Sequence, residues 1–322
     1  MSSGKPGDGA GRDALLLILG PTASGKSALA ADIAAAVGGV VINTDSMQVY
    51  RDLHILTARP EPELEQRAPH RLYGFQDAAE PFSAALWATR AAAEIRLCWA
   101  NGQVPVLCGG TGLYVRSLLR GFAPIPDIAP EFRAEAMQVL ADAGAPALHA
   151  RLAAVDPTTA ARLKPGDSQR LVRAWEVWLA TGRSLSDWQA EPDQPVIRAR
   201  TFTVVLDPPR ADLHARCDAR FDLMLAAGAL AEVKSLRARA LAPDLPAMKA
   251  LGVPELMAFL AGEVSLEAAK AAAQMATRRY AKRQGTWFRN QIVADLRPTT
   301  QQTESVFAET FPKISEFLLT TG

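Results

Sequence analysis

Short, continuous runs of hydrophobic residues mark the first third of the chain, and segments with helical character separate them. The runs ALLLILG (residues 14–20), VVIN (residues 40–43) and VPVLCGG (residues 104–110) each predict a strand that is buried on both faces. The Ala-rich segment SALAADIAAAV follows the first run and residues 84–99 precede the third, and both predict helices. Strands that alternate with helices predict a parallel, doubly wound sheet.

The hydrophobic pattern changes at about residue 123. The segment APIPDIAPEF is rich in proline, and residues 131–189 have helical periodicity without a convincing strand. Strand character returns in FTVVLD (residues 202–207), helices follow to about residue 290, and the last residues predict a weak helix at best. The predicted organisation is a disordered tail (1–12), a first part of the core (13–122), a helical insertion (123–200), a core completion with a basic helix (201–297) and a C-terminal tail (298–322).

A phosphate-binding motif lies between the first strand and the first helix. GPTASGKS satisfies the pattern G-x-x-x-x-G-K-[ST]. In such a loop, backbone N–H groups face phosphate oxygens, a lysine adds positive charge, and a serine hydroxyl can hold Mg²⁺. These patterns together predict an α/β fold with a P-loop NTPase-like parallel sheet core and an inserted all-helical subdomain.

Composition and charge narrow the class of protein further. With 322 residues, of which 49% are hydrophobic, the chain can bury a large core. The 35 Lys and Arg residues nearly balance 34 Asp and Glu, so any polyanionic partner must bind a local basic patch. Three dispersed cysteines, four histidines without metal-ligand spacing and no apolar leader predict a cytoplasmic protein without a structural metal.

The position of the acidic residue at the end of a core strand separates two classes of P-loop protein. A nucleotide triphosphatase usually ends a second core strand in an acid that positions Mg²⁺, whereas VPVLCGG here runs into Gly110-Thr111. Asp45 follows VVIN instead, and the carboxyl ends of neighbouring parallel strands face the same crevice as the phosphate loop. Asp45 is therefore either an active-site carboxylate or an ordinary turn aspartate.

Six segments carry a resemblance to a known family: GPTASGKS, INTDSMQVY, APHRLYG, VPVLCGGTGLYVRSLL, DSQRLVRAWEV and RRYAKRQGTWFR. In this order they resemble the bacterial tRNA dimethylallyltransferases, also called tRNA isopentenyltransferases. The resemblance implies transfer of the dimethylallyl group from dimethylallyl diphosphate to N6 of the adenosine 3′-adjacent to the anticodon (position 37) of tRNA, with release of pyrophosphate. No phosphoryl group is transferred in this reaction, which agrees with the absence of an acidic residue at the end of the strand VPVLCGG.

The same resemblance assigns roles at the donor. Asp45 would be the general base for the N6 proton, and Thr111 would contact RNA or the reacting groups. Arg220 matches the family arginine that holds the pyrophosphate, whereas the residues alone favour an exposed helix arginine paired with Asp218 or Asp222. The diphosphate would be bound by Gly20, Pro21, Thr22, Ala23, Ser24, Gly25, Lys26 and Ser27, with Mg²⁺ at Ser27.

On the acceptor side, the resemblance implies tRNA contacts in three parts of the chain. The contacts are Asp45, Ser46, Met47, Gln48 and Thr111 near the target nucleotide, Arg133, Gln169, Arg170, Leu171, Val172 and Arg173 in the insertion, and Lys249 and Gly252. After Gly252, Val253-Pro254 replaces the aromatic and basic pair that is usual in the family.

Residues 278–289 form a second candidate surface for RNA. Five basic residues are interleaved with three aromatic residues, and no acid intervenes. Basic side chains neutralise phosphates and aromatic rings can stack on bases, although Trp287 and Phe288 suit a buried core equally well. The basic residues are Arg278, Arg279, Lys282, Arg283 and Arg289.

Three other functions remain open from the sequence. A small-molecule kinase would use the same loop and consume ATP, and an adenylate isopentenyltransferase would prenylate a free nucleotide. An RNA-binding scaffold would leave Asp45 and Arg220 without a role. The insertion and the basic segments favour a large RNA acceptor. We expect a monomer that binds the anticodon stem-loop, no membrane association, and no zinc, because the zinc finger of the eukaryotic relatives has no counterpart here.

Overall fold

The computed structural model describes residues 13–192, 194–300 and 302–320. The tail expected at residues 1–12 lies outside the described residues. The chain folds into two compact units, one of residues up to Leu119 together with those from Ile197 onward, and one of residues Arg120–Val196. We call them the core unit and the helical unit. Their limits differ by a few residues from those expected for the insertion.

A parallel sheet of five strands forms the centre of the core unit. Its order is β3-β2-β4-β1-β5, with β1 at Ala14–Leu19, β2 at Val40–Asn43, β3 at His70–Arg71, β4 at Pro105–Gly109 and β5 at Arg200–Val205. Every residue of β1, β2 and β4 is buried, which explains why each is a continuous apolar run in the sequence. The predicted parallel sheet is confirmed, and the two-residue edge strand β3 adds to it.

The sheet register brings three strand ends to one level. Leu19 of β1 pairs with Gly109 of β4, and Asn43 of β2 pairs with Cys108 of β4. The segments that follow these ends therefore emerge side by side at the carboxyl edge of the sheet. In parallel α/β sheets, this edge is where ligands bind.

Four helices accompany the first four strands: α1 at Lys26–Val37, α2 at Pro62–Glu65, α3 at Ala84–Ala100 and α4 at Gly112–Leu119. The helical unit follows, with α5 at Pro130–Val155, α6 at Pro157–Arg162, α7 at Ser168–Thr181 and α8 at Leu185–Gln189. Helix α5 is broken at Gly144, whose φ of 76° is left-handed. The helical unit packs around its own apolar cluster, which includes Ala136, Leu148 and Leu171. The predicted all-helical insertion is confirmed.

After β5 the chain returns to the core unit as helices. These are α9 at Arg210–Ala226, α10 at Ala229–Ala238, a 3-10 turn at Ala247–Lys249, α11 at Val253–Leu260, α12 at Leu266–Gln291 and α13 at Thr303–Leu319. Helix α13 differs from the weak helix expected at the C-terminus. It buries Val306, Thr310 and Ile314 at intervals of four, and Val306 and Ile314 share an apolar cluster with α1. Among the described residues, no helix is both long and apolar enough to span a bilayer.

Candidate active site

The phosphate loop connects β1 to α1 and carries every residue of the predicted motif. Gly25 adopts a φ of 91°, a conformation that glycine reaches without strain and other residues rarely adopt. A Cβ atom on Gly20 would lie 2.9 Å from Ser24 Oγ and 3.0 Å from the Leu206 carbonyl oxygen. Lys26 Nζ donates to the Pro21 carbonyl oxygen at 3.2 Å. The two glycines thus allow the tight turn that presents backbone N–H groups at the start of α1.

A cavity of about 420 Å³, here called the loop cavity, opens over this turn. Burial lowers the pKa of Lys26, and the neighbouring Cys108 and Asp45 oppose that shift. Lys26, Arg216 and Arg220 line the loop cavity together with the amino end of α1. Positive side chains and a helix amino end suit an anion. The loop cavity is lined by Ala23, Ser24, Gly25, Lys26, Ser27, Ala28, Ala58, Arg216, Ala219, Arg220 and Leu223.

Asp45 lies directly beyond the end of β2, held by its own turn. Its N–H donates to Asn43 Oδ1 at 2.7 Å, and its Oδ1 accepts from the Met47 N–H at 2.9 Å. Buried Asn43 also donates through Nδ2 to the Asp45 and Leu72 carbonyl oxygens, both at 3.0 Å. Among the described residues, no group donates a hydrogen bond to Asp45 Oδ2. The carboxylate is therefore a turn aspartate with one oxygen left to act on a ligand.

Thr111 links the end of β4 to the Asp45 turn. Its N–H donates to the Thr44 carbonyl oxygen at 3.1 Å, and its Oγ1 accepts from the Ser46 N–H at 3.0 Å. Thr111 Oγ1 also donates to Ser46 Oγ at 3.3 Å. The structure thus brings Thr111 and Ser46 beside Asp45.

Glycines in the β4–α4 turn leave room for three neighbours rather than providing unusual φ angles. A Cβ atom on Gly109 would overlap Thr44, one on Gly110 would overlap the Gln284 amide, and one on Gly112 would overlap the Trp287 ring. The turn GGTG therefore fits closely between the end of β2 and helix α12.

A second cavity of about 260 Å³, the central cavity, joins the predicted residues from distant parts of the chain. Its lining is mostly apolar, with a few polar groups, as in most small-molecule sites. The lining includes Asp45 and Arg220, whereas Thr111 lies behind Ser46. The lining residues are Thr22, Asp45, Ser46, Met47, Leu56, Thr57, Cys217, Arg220, Phe221, Met224, Lys249, Ala250, Leu251, Thr277, Tyr280 and Arg283.

Arg220 lines both cavities. Its Nη2 donates to Thr22 Oγ1 of the phosphate loop. Burial lowers the pKa of this guanidinium, and the nearby Cys217 and Asp45 partly offset the shift. No carboxylate lies within ion-pairing distance of Arg220 in the described part of the chain, so the pairing with Asp218 or Asp222 allowed by the sequence is not formed. Asp218 instead pairs with Arg278 and Asp222 with Lys270.

Several residues of the central cavity have no recognisable sequence motif. Phe221 and Met224 come from α9 and supply apolar wall, together with Cys217. Tyr280 comes from α12, and burial raises the pKa of its hydroxyl, with the Asp45 charge adding to the rise. For Phe221, Met224 and Cys217, a helical face of apolar residues is the only signal in the sequence, and core packing produces the same signal. Tyr280, in contrast, lies in the basic and aromatic segment 278–289 that the sequence singles out.

A carboxylate from α10 holds one side of the central cavity in place. Glu232 accepts from the N–H groups of His54, Ile55 and Leu56 at 2.7 to 3.0 Å. Gln48, predicted to contact RNA, donates through Nε2 to the carbonyl oxygens of Thr57 and Ala58 at 2.9 and 2.8 Å. Residues 53–58 thus form a loop whose shape depends on two side chains from elsewhere.

Helix α12 presents a third cavity, the basic groove, of about 490 Å³, lined by Arg279, Lys282, Arg283, Thr286, Trp287, Asn290 and Gln291. The predicted basic residues divide into two groups. Arg278 pairs with Asp218 and Arg289 with Asp207, whereas Arg279, Lys282 and Arg283 face the groove. Phe288 is in the core and Trp287 is only half-buried. An aromatic ring beside three cations is suited to nucleic acid.

In the helical unit, residues 169–173 of α7, predicted to contact tRNA, lie on two different faces of the helix. Gln169, Arg170 and Arg173 are exposed, whereas Leu171 and Val172 are 0% and 2% exposed and belong to the apolar cluster. A surface contact by this segment therefore rests on its polar residues. Arg173 and Arg133 both pair with Glu176, which is almost fully buried, at 2.5 and 3.2 Å.

Near the central cavity, Lys249 is exposed at the end of the 3-10 turn, whereas Gly252 is buried at the start of α11. The Gly252 N–H donates to Glu255 Oε2 at 3.1 Å, and its carbonyl oxygen accepts from the Leu256 N–H. Gly252 is the N-cap of this helix, and its φ of 91° favours glycine at this position. Val253, which follows it, is fully buried.

The fold and the site together define a P-loop transferase. The loop cavity offers cations and backbone donors to an anion, and Arg220 joins it to an apolar cavity that contains one carboxylate. The described residues contain no group of three or more His, Cys, Asp or Glu side chains that could hold a metal ion. The arrangement suits a diphosphate ester of an apolar group.

Comparisons with known proteins agree with this class. A family model described as IPP transferase matches residues 48–291, and one described as Isopentenyl transferase matches residues 13–79. A tRNA dimethylallyltransferase of Paramagnetospirillum magneticum is 54% identical over 95% of this chain and 97% of its own. The crystal structure of a tRNA isopentenylpyrophosphate transferase from Bacillus halodurans has a TM-score of 0.70 and 33% identity, covering 95% of this chain and 97% of its own.

A eukaryotic dimethylallyltransferase, crystallised acting on tRNA, is also similar, with a TM-score of 0.76 and 26% identity over 94% of this chain and 80% of its own. This chain belongs to the tRNA dimethylallyltransferase family. It is a prenyltransferase that transfers the dimethylallyl group from a prenyl diphosphate to tRNA. The hypotheses of a kinase, of a scaffold and of an AMP prenyltransferase are therefore wrong.

Proposed function

We propose that this enzyme transfers the dimethylallyl group to N6 of the adenosine at position 37, next to the anticodon, giving N6-(dimethylallyl)adenosine and pyrophosphate. The observation that carries the proposal is the position of Arg220 in the walls of both cavities. A donor can therefore place its diphosphate in the loop cavity and its apolar group in the central cavity, where Asp45 lies. The base would enter the central cavity out of its stack, as enzymes that modify bases require.

The proposed reaction is a single substitution. The N6 nitrogen attacks the first prenyl carbon and forms the new C–N bond, while the bond from that carbon to the diphosphate oxygen breaks. Asp45 takes the proton from N6 as general base, and Oδ2 is the oxygen left available by the turn. Thr111 acts by holding Ser46 beside Asp45, and Ser46 and Met47 line the space for the target nucleotide.

The departing pyrophosphate carries the charge that the loop must stabilise. The loop from Gly20 to Ser27 would surround it, with N–H groups at the start of α1 as donors, and Lys26 and Arg220 would add fixed positive charge. The N–H groups of Thr22 and Ser24 instead donate to Gln284 and Pro21 and hold the loop in shape. Mg²⁺ would be held by the Ser27 hydroxyl and by oxygens of the diphosphate and water, since it usually needs few protein ligands. Ser27 lines the loop cavity, which fits this role.

For RNA binding we propose two surfaces, each argued separately. Arg279, Lys282 and Arg283 of the basic groove would neutralise phosphates of the anticodon stem-loop, with Lys249 near the target base. In the helical unit, the exposed contacts would be Arg133, Gln169, Arg170 and Arg173. Gln48 and Gly252 would act indirectly, by shaping residues 53–58 and the start of α11.

Labelled dimethylallyl diphosphate tests the proposal. With Mg²⁺, label should enter a tRNA with adenosine at position 37 and should not enter the same tRNA with guanosine there, or AMP. Digestion of the product to nucleosides should release labelled N6-(dimethylallyl)adenosine. Label in another nucleotide would contradict the proposed acceptor, and undiminished transfer in the presence of a chelator would contradict the role of Mg²⁺.

Replacement of Asp45 by Asn tests the general base. Because Asn keeps the size and the hydrogen bond from Met47 but accepts protons poorly, kcat should fall by about 100- to 10,000-fold. The affinity for tRNA should change little. If tRNA binding fell in parallel, Asp45 would instead be needed for the shape of the turn.

A further inference from the structure

Gln284 is a buried amide in the middle of α12, and both of its polar ends are engaged. Its Oε1 accepts from the N–H of Thr22 in the phosphate loop at 2.9 Å. Its Nε2 donates to the carbonyl oxygen of Gly110 after β4, also at 2.9 Å. Only 6% of the residue is exposed, so water does not compete effectively for these bonds.

The two partners of Gln284 belong to the two halves of the proposed reaction. Thr22 is bonded twice, because its N–H reaches Gln284 and its Oγ1 accepts from Arg220, the cation shared by both cavities. Gly110 directly precedes Thr111, which holds Ser46 next to Asp45. A single side chain thus fixes the distance between the donor loop and the turn of the general base.

The chain around Gln284 leaves it little freedom. A Cβ atom on Gly110 would overlap Nε2, so the glycine turn fits around this amide. Trp287, nearly one helical turn further on, covers Gly112 in the same turn. A displacement of α12 would therefore move Thr22 and Gly110 with it, or break bonds that are costly to leave unmade in a buried position.

The same stretch of α12 lines the basic groove. Lys282, Arg283 and Trp287 flank Gln284 in sequence and face the groove, while Gln284 faces the sheet. An RNA bound in the basic groove would contact the helix that carries the Gln284 amide. Occupancy of the groove and the geometry of the phosphate loop therefore depend on one rigid element.

We propose that Gln284 is a positioning residue that couples the two substrate sites: its amide sets the phosphate loop for the donor when RNA occupies the basic groove. The inference rests on the proposed function, since it takes the loop as the donor site and the groove as an RNA site. Coupling between two binding sites is reciprocal, so the donor strengthens RNA binding by the same factor.

The test uses the full-length protein and three variants. Gln284→Met keeps the length of the side chain and removes both hydrogen bonds. Gln284→Glu is nearly isosteric and keeps the acceptor for Thr22, but it replaces the donor to Gly110 by a carboxylate oxygen that the Gly110 carbonyl oxygen repels. Gln274→Met is the matched control, because Gln274 lies on the same helix and donates to the Asp218 carbonyl oxygen of α9, away from the phosphate loop. Thermal unfolding identifies the variants that fold, and Gln284→Glu replaces Gln284→Met if the latter does not.

The measurement is the Kd of a thiolodiphosphate analogue of the donor, which does not react, with and without saturating tRNA. In the wild type, tRNA should tighten the analogue by at least about 5-fold. In Gln284→Met, the Kd without tRNA should rise by about 10-fold, the size expected for a lost buried hydrogen bond, and the effect of tRNA should fall to about 1-fold. Gln284→Glu should also lose the effect of tRNA, and Gln274→Met should behave as the wild type.

If tRNA left the wild-type Kd of the analogue unchanged, the inference would be overturned, because there would be no coupling for Gln284 to transmit. A Gln284→Met variant with the wild-type Kd and the wild-type effect of tRNA would overturn the inference. A variant with a higher Kd for the analogue but an unchanged effect of tRNA would also overturn it, because Gln284 would then act only on the phosphate loop. If the wild-type protein bound neither the analogue nor tRNA, the proposed function itself would fail.

Discussion

Among single residues, Arg220 has the position that most clearly distinguishes this site from a simple phosphate loop. It joins the loop cavity to the central cavity and bonds Thr22, and it has no ion-pairing carboxylate among the described residues. A desolvated cation without a protein counter-ion is stabilised when an anion binds beside it. This makes Arg220 a residue whose replacement should affect the donor more than the RNA.

We therefore expect Arg220→Met to lower kcat/KM for the donor by about 100- to 1,000-fold, in line with the loss of one group that stabilises departing charge. Arg220→Lys should recover part of this, because lysine keeps the charge and loses the forked geometry. The KM for tRNA should stay within about 2-fold in both variants, since the residue faces the donor. Steady-state kinetics with the donor varied at saturating tRNA measures the first effect, and kinetics with tRNA varied at saturating donor measures the second.

Arg210→Met, an exposed arginine at the start of the same helix, is the control and should retain wild-type kinetics. A similar loss of kcat/KM in both variants would mean that α9 as a whole, rather than the Arg220 guanidinium, is disturbed.

At the scale of elements, the helical unit depends on a buried carboxylate between its short helices. Asp156 accepts from the Thr159 N–H at 2.9 Å at the start of α6, and from the Ser186 N–H and hydroxyl at 3.0 and 2.6 Å in α8. Burial acts to raise the pKa of this carboxyl, but the hydrogen bonds from Ser186 and Thr159 outweigh it, so its pKa is held below the ordinary value.

A lowered carboxyl pKa in the folded state stabilises the fold above the ordinary pKa, and that contribution is lost as the pH falls through the folded value. Asp156→Asn should therefore lower the free energy of unfolding by about 1 to 3 kcal/mol at neutral pH. The difference from the wild type should shrink at pH values below about 4, the ordinary range for an aspartate. Urea unfolding followed by tryptophan fluorescence measures both.

Asp142→Asn is the matched control, because Asp142 is exposed and its side chain, among the described residues, bonds only Gln138 on its own helix. It should change the unfolding free energy by less than about 0.5 kcal/mol. A difference between Asp156→Asn and the wild type that persisted unchanged into acid would show that the carboxylate charge contributes nothing to this unit.

Elements also show which structural features the sequence can predict. Strands β1, β2, β4 and β5 are apolar runs that predict strands, whereas β3 has two residues and no pattern to detect. Helix α13 is only weakly predicted because Thr310 occupies its buried stripe and Pro312 lies inside it. Gln284 and Glu232 are bonded to residues 262 and 178 positions away, and no local pattern reveals such partners.

At the scale of the whole molecule, the net charge is only +1, so the attraction of RNA must come from local surfaces. The basic side chains of α12 differ in whether they are already paired with a carboxylate of the protein. Arg279 and Lys282 face the basic groove, whereas Arg289 is already paired with Asp207 at 2.8 Å. A cation with a protein partner releases less bound salt when it meets a phosphate.

We expect Arg279→Gln and Lys282→Gln each to weaken tRNA binding and to reduce the slope of log K against log salt by about 0.7 to 0.9. Arg289→Gln should change this slope less. Filter binding over a series of salt concentrations measures the three slopes. If Arg289→Gln reduced the slope as much as Lys282→Gln, the basic groove would not be the RNA surface of α12.

The turn between β4 and α4 has a consequence for experiments that replace every residue in turn. Gly109, Gly110 and Gly112 have no side chains to react or bind, yet each is confined by a different neighbour: Thr44, the Gln284 amide and the Trp287 ring. A mutational scan for activity would find these three positions as intolerant as Asp45. Intolerance to replacement alone would therefore make these glycines look catalytic. The glycines should reject side chains in order of increasing size, whereas Asp45 should reject side chains of similar size that lack the carboxylate.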